Sequence, residues 1–387
     1  MLRRIATRVA FLPRFLPVWR AWAAGQRQPA LDVEPADASL VAEGDALRAA
    51  AIHAARGRHG QLGLRVFLVR PPSISGQIWF DGIGTALQHM GVATEVVGLG
   101  DTSWSDAWRR LQPTLLVAPD LLEAHARLDA DTRAALARRG GRRLLVPMWP
   151  TSFERRLARG PDEDAVLRMA LAGETADGFA SLYEPEYFPR HLAPLAEAGF
   201  RYLSLPQACD PFNDGPRDVP RRHAWFMAST LTRDRLDVAY DCLRPVLRSA
   251  PGLWVGSGWR FGAPRVEARE LPQLFSSSRI ALAPLVPFLR AEALEITYRV
   301  FAAAACGAFQ VTHATPITDR FFAHDELVQA SDDAEFAALC AHYLPRRDDR
   351  LAVARRALAR VYRDHTTFER AERLIAFART LDARPSS

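Results

Sequence analysis

The sequence predicts an α/β protein made of two doubly wound, Rossmann-like parallel-sheet domains in tandem, facing a cleft. Three observations predict it. Short apolar runs alternate with helix-length segments from residue 64 onward, and the alternation restarts after a loop rich in proline, glycine and mixed charge at 207–222. The length, 387 residues, exceeds one ordinary core and suits two domains of roughly 150 to 200 residues each.

Taken in order, LRVFLV at 64–69 is rich in branched and aromatic residues and reads as a strand. It is followed by the turn-rich PPSISGQ and then by GIGTALQHMG at helical spacing. The pattern repeats through TEVVGL, the helix around DAWRRLQ, TLLVAP, the helix DTRAALARRG, RLLVPM, a helical stretch near DEDAVLRMALAG, GFASLY and RYLSLP. The second series runs HAWFMA, the helix from Arg233 to Ala250, LWVGSG, the helix ELPQLFSSS, RIALAPL, the helix ITYRVFAAAACG, AFQVTH and ELVQA, and ends in long helices. This divides the chain into a basic leader (1–30), a first Rossmann-like domain (31–207), a second Rossmann-like domain (208–364) and a terminal helix (365–387) expected to pack back on the first domain. Before the first strand, 25–60 reads as a polar linker plus the helix ALRAAAIHAAR.

With 49% hydrophobic and 24% charged residues, the chain has enough apolar surface for a core and is not of a disordered type. Cys209, Cys242, Cys306 and Cys340 lie more than 30 residues apart, so no zinc-ribbon or CxxC spacing exists and a reducing cytosol is expected. All 50 basic residues are arginine, which excludes a lysine-based mechanism. The net charge of +6 favours anionic partners such as phosphates or a membrane surface. Nucleic acid is not expected, because the arginines are scattered among acidic residues and no recognition motif stands out.

Residues 1–24 resemble a signal peptide at first sight, but Arg8, Arg14 and Arg20 break the apolar run. Arginines interleaved with Leu12, Phe15, Leu16 and Trp19 suit a basic segment lying on anionic lipid. Pro13 and Pro17 are expected to interrupt any single helix there. The expected location is cytoplasmic, at the inner face of the membrane if the leader engages it.

From about residue 181 the signals are more specific. LAEAGFRYLSLPQACDP, then HAWFMASTLTRDR, LWVGSGW, TYRVFAAAACGAFQVTH, ITDRFF and HTTFERAERLI follow in an order and spacing that resembles the group 1 glycosyltransferases of the spore-maturation, CgeB-like type. That resemblance implies the GT-B architecture and transfer of a sugar from a nucleoside diphosphate donor to a glycan, lipid-linked or protein acceptor. It further implies retained anomeric configuration, no divalent metal and no cofactor besides the nucleotide-sugar substrate. One departure stands out. Such enzymes usually carry two glutamates eight positions apart, the second contacting ribose, and here those places hold Leu294 and Ala302, with Glu292 and Glu295 nearby. Either Glu295 takes a related catalytic role, or backbone and arginines hold the donor, or the chain is a silent nucleotide-sugar or glycan-binding protein. A nucleotide-sugar epimerase on the same architecture is a further alternative.

A diphosphate needs its charge neutralised, which arginine and helix N-termini do well. Candidates on the donor side are Ser229, Thr230, Arg233 and Arg235 after HAWFM, then Gly256, Gly258 and Trp259 in the glycine turn, and Thr297, Arg299 and Gly307 on the alanine-rich helix. Ser75, Gly76 and Gln77, after the first strand, are acceptor-side candidates. Each has a plainer reading: solvated first-turn arginines, a glycine turn with a packed tryptophan, or an ordinary loop. No metal site is expected, since the DAD at 129–131 and DED at 162–164 precede helices and read as caps. His313 is a possible cleft residue that reads more simply as structural, and His365 as a helix-docking residue.

Overall fold

A computed structural model describes residues 2–381 except 30, 72–73, 103, 120–123, 125–126, 129, 139, 147–175, 230–231, 257–265 and 293–294, and backbone only for 2–12 and a few others. Among the described residues eleven strands form two parallel sheets. The first contains β1 (Arg65–Arg70), β2 (Ala93–Gly98), β3 (Leu115–Ala118), β4 (Arg142–Leu145), β5 (Gly178–Ser181) and β6 (Arg201–Ser204), in the order β2-β1-β3-β4-β5-β6. The second contains β7 (His223–Ala228), β8 (Gly252–Val255), β9 (Ser278–Ala283), β10 (Gln310–His313) and β11 (Val328–Ala330), in the order β11-β10-β9-β7-β8. Each strand falls on an apolar run named above. The inner strands are buried on both faces, as Val66 to Val69 and Ser278 to Ala283 show, and that is why their sequences lack the alternation of a half-exposed sheet.

By contacts the chain divides into two units. One comprises Met1–Ala51 with Ala208–His365, the other Ile52–Gln207 with Thr366–Ser387. The stretch 31–51 therefore groups with the second sheet: Glu34 bridges Arg221, and Leu40 is buried in a cluster with Phe301, Phe322 and Leu358. In the other unit, helix Thr367–Leu381 packs on helix Ile74–His89 and reaches β5, where a Cβ on Gly178 would lie 3.0 Å from Leu381 and 3.2 Å from Phe377.

One expectation is overturned. Residues Leu2–Gly25 form a single helix that contains Pro13 and Pro17. Each proline removes one backbone donor, and packing outweighs that loss: Val18 and Ala21 are buried, Arg14 pairs with Asp237 at 2.5 Å, and Gly25 has no room for a Cβ against the Leu247 carbonyl.

Helix Tyr298–Ala305 lies at the centre of the unit that carries the second sheet. Val300, Phe301, Ala304 and Ala305 join one apolar cluster, while Ala302 and Ala303 join another with Phe226, Phe275 and Ala281. Alanine lets the helix approach the sheet closely. Phe301 sits among Phe321, Phe322 and His365 with ring centroids 5.5 to 5.8 Å away, a burial contributing about 2–3 kcal/mol. The helix stops at Gly307, whose φ of +64 supplies the left-handed turn that an L side chain resists.

Candidate donor-binding site

In the second sheet β8 lies on one side of β7 and β9 on the other, so the strand order reverses between β7 and β9. The crevice beyond the carboxyl ends of the strands at such a reversal is where doubly wound folds hold ligands. Ala228 ends β7 there, in register with Val255 at the end of β8.

Arg299 reaches this point. Its Nη1 donates to the Ala228 carbonyl at 3.0 Å, and the residue is 8% exposed. Its Nη2 has no hydrogen-bond partner among the described residues, and neither has the buried Oγ1 of Thr297 two residues earlier. Thr297 is the N-cap of helix Tyr298–Ala305 in extended conformation, yet its side chain does not cap the helix. Among the described residues an arginine N–H and a threonine hydroxyl thus stand unmatched beside the first turn of a helix, at its positive end. Buried donors in that state cost about 1–3 kcal/mol each when left unpaired, so the arrangement suits an anionic ligand.

Arg235 and Glu295 complete the charge pattern. Arg235 is half-buried on helix Arg233–Val238, whose N-cap Thr232 accepts from the Arg235 N–H at 3.4 Å. Burial lowers the pKa of Arg235, and Glu295 opposes that fall. Burial and the neighbouring charge of Arg235 hold Arg299 well below the usual arginine range. The Glu295 carboxyl is pushed up to about 7 by burial, against the pull of Arg235. Two guanidiniums and one carboxyl that titrates near neutrality therefore share the end of the sheet.

The other candidates separate. Arg233 is exposed on the first turn, so of the two helix arginines only Arg235 turns inward. Ser229 is pinned by its backbone, its N–H donating to Val255 O at 2.8 Å and its carbonyl accepting from Trp254 Nε1 at 3.0 Å. Gly256 is exposed directly after β8. Thr230, Gly258 and Trp259 lie outside the described residues, as does the side chain of Ser75; Gly76 is buried and Gln77 half-buried at the start of helix Ile74–His89. Gly307 is at the far end of the helix from Thr297, about 15 Å along its axis. A Cβ on Gly307 would lie 3.0 Å from Leu40, so its place is in helix termination and packing rather than beside the donor. Ala302 is 1% exposed in the apolar core, an environment with no polar partner for a carboxylate.

Sequence reasoning missed Asp214 and Tyr298. The Tyr298 hydroxyl donates to both Asp214 oxygens at 2.8 and 3.0 Å, and Tyr362 donates to the Asp214 carbonyl at 2.9 Å. Burial and the adjacent Asp210 push the Asp214 carboxyl up to about 7. This contact ties the crossover loop to the helix residue between Thr297 and Arg299. The repeated aspartates of DPFND were the available signal.

Among the described residues one cluster has metal-ligand chemistry: Cys242, His313 and Asp333, with ligand atoms within 4.8 Å of one another. His313 Nδ1 accepts from the Leu285 N–H at 3.1 Å, which places the proton on Nε2, and Nε2 donates to Asp333 at 3.0 Å. That tautomer leaves no lone pair for a metal, and Arg290 already holds the same Asp333 oxygen at 2.8 Å. Burial and Arg290 bring the His313 pKa down to about 4. His313 and His365, whose Nε2 meets the Phe321 carbonyl at 2.9 Å, are structural residues.

Comparison with known proteins agrees with this frame. Residues 235–376 match the family described as Glycosyl transferase-like. No curated protein matches the sequence. Among solved structures, the chain is similar to a sucrose-phosphate synthase from Thermosynechococcus elongatus, with a TM-score of 0.56 and 12% identity over 83% of this chain and 99% of that one. A glycosyltransferase from Rickettsia africae gives 0.51 and 11% over 84% and 100%. Anabaena HepE in complex with UDP and glucose gives 0.50 and 10% over 82% and 100%. Residues 235–376 thus resemble a glycosyl transferase-like domain, and the chain has the two doubly wound sheets of the GT-B fold.

Proposed function

We propose that the chain moves a sugar from a nucleoside diphosphate donor to a glycan, lipid-linked or protein acceptor, with retained configuration and without a divalent metal, as a CgeB-like group 1 enzyme. The observation that carries this is the pair of buried donors unmatched among the described residues, Arg299 Nη2 and Thr297 Oγ1, at a helix N-terminus at the carboxyl end of β7. Guanidinium groups and backbone N–H groups neutralise the diphosphate as it leaves, the work a metal ion does in other transferases. The reacting sugar lies beyond the outer phosphate, and Glu295 is the carboxyl whose charge acts most on Arg235. A thermal-shift screen against UDP, GDP, dTDP and CMP tests the reading, with UDP first because HepE holds it. One nucleotide is expected to raise the melting temperature, and its sugar conjugates to be turned over. Binding without turnover of any sugar conjugate, as the buried Ala302 would favour, selects the silent binding protein instead.

Glu295 gives this site a pH signature. Below pH 7 its carboxyl takes up a proton, which removes a negative charge beside the arginines and tightens diphosphate binding. Glu295→Gln holds the neutral state at every pH. The variant is expected to bind about tenfold tighter than the parent at pH 8 and equally at pH 5.5, as read by calorimetric titration. The nucleotide's own phosphate titrates in the same range, so the ratio of the two proteins is the quantity that counts. A ratio independent of pH removes Glu295 from the neighbourhood of the phosphates.

The membrane reading rests on the first helix. No helix among the described residues is long and apolar enough to cross a membrane. Leu16 and Trp19 are each 43% exposed, and Arg20 is exposed beside them, a combination that suits the headgroup boundary of an anionic, inner-face membrane. Replacing Leu16 and Trp19 together by serine is expected to lower sedimentation with phosphatidylglycerol vesicles about tenfold, with donor binding unchanged. Equal sedimentation of both proteins removes the membrane from the account.

A further inference from the structure

The amino ends of the second sheet, opposite the donor site, hold a second concentration of buried positive charge. Arg221 stands just before β7, Arg279 is the second residue of β9, and Arg347 and Arg350 begin helix Arg347–Asp364. Arg221, Arg279 and Arg350 are 8%, 8% and 3% exposed. All four, with Glu34, line one small cavity floored by Gly307 and Phe309.

The charges do not balance. Glu34 is shared by Arg350 Nη2, at 2.5 and 2.6 Å, and Arg279 Nε, at 2.9 Å. Arg350 Nη1 is spent on the carbonyls of Tyr343 and Leu344, and Arg279 Nη2 on that of Asp32. Arg347 Nη2 reaches the Pro35 carbonyl at 3.5 Å and Asp37 at 4.0 Å, but Asp37 is already held by Arg355 at 2.9 Å. Arg221 Nη1 and Arg347 Nε have no hydrogen-bond partner among the described residues. The backbone of Arg221 is fixed by its bridge to Glu34, so its side chain cannot leave cheaply. Glu34 and Asp37 act on Arg221 from nearby, but burial outweighs them and Arg350 and Arg347 push against it, so the buried guanidinium stays unfavourable, and the first N–H groups of an 18-residue helix add to the positive field.

We propose that this cage is an anion site that binds chloride or a comparably small inorganic anion beside Arg221 and Arg347, completing the charge left over by Glu34. The cavity, about 10 Å³, has room for something of the size of one water, which selects a monatomic anion over a phosphate. The bound ion ties four segments together: 32–37, the end of the crossover at Arg221, the start of β9 and the helix from Arg347. The site therefore stabilises the unit that carries the donor site and does not depend on the donor reading.

Melting curves of the full chain at constant ionic strength, with sodium gluconate replaced stepwise by sodium chloride, test this. The parent protein is expected to gain about 5 °C in a saturable way, and Arg221→Gln to lose the dependence on chloride. An identical response of parent and variant overturns the proposal. If Arg221→Gln does not fold, crystals of the parent protein grown in sodium bromide decide: an anomalous peak beside Arg221 Nη1 supports the site, and an empty cavity overturns it. Saturable stabilisation by phosphate without any by chloride also overturns the assignment to a small monatomic ion.

Discussion

Arg299→Met is expected to weaken nucleoside diphosphate binding at least about 100-fold while leaving the melting temperature nearly unchanged. The first half follows from charge. Arg299 supplies a buried guanidinium with one N–H group unused by the described residues, and a charge-assisted bond to phosphate in such a site is worth about 1.5–3 kcal/mol, with the Coulombic contribution added. The second half follows from desolvation. Among the described residues the guanidinium makes one bond, to Ala228 O, and its burial beside Arg235 is unfavourable. Methionine fills a similar volume without a charge, so the loss of that bond is offset by relief of the buried cation to within about 1 kcal/mol. Calorimetric titration and a melting curve on the same preparation read both halves. Unchanged affinity removes Arg299 from the site.

Arg370→Ala is expected to have the opposite profile, with stability lost by about 3–5 kcal/mol. Arg370 is fully buried on helix Thr367–Leu381, and its Nε and Nη2 donate to the carbonyls of Pro206 and Gln207 at 2.9 and 3.2 Å. Those carbonyls begin the crossover, and truncation leaves both buried without a donor, next to a cavity the size of the lost side chain. Total stabilities of domains are of the order of 5–15 kcal/mol, so the unit holding the first sheet becomes marginal. Urea unfolding followed by far-ultraviolet circular dichroism reads the effect; a loss below about 1 kcal/mol would show that water or neighbours replace the guanidinium.

The two profiles explain what the sequence could and could not disclose. All eleven strands among the described residues were legible, because strands in a sheet covered on its faces are short apolar runs between turns. Thr297 and Arg299 were legible for a similar reason: a threonine before an alanine-rich segment marks a helix start whatever surrounds it. The first helix was misread, since Pro13 and Pro17 are local signals and the packing of Val18, Ala21 and Gly25 that outweighs them comes from residues more than 200 positions away. Arg233 and Arg235 look alike in sequence, and only tertiary packing turns one outward and the other in. The Asp214 and Tyr298 pair spans 84 positions and the Glu34 and Arg350 pair 316; no spacing rule reaches that far.

The proposed activity depends on a diphosphate held at the carboxyl end of β7. A crystal structure of the chain with the nucleotide that gives the largest thermal shift tests it most directly. Phosphate oxygens are expected within hydrogen-bonding distance of Arg299 Nη2 and Thr297 Oγ1, with Arg235 alongside. A diphosphate seated elsewhere, with both of those atoms still unmatched, would contradict it.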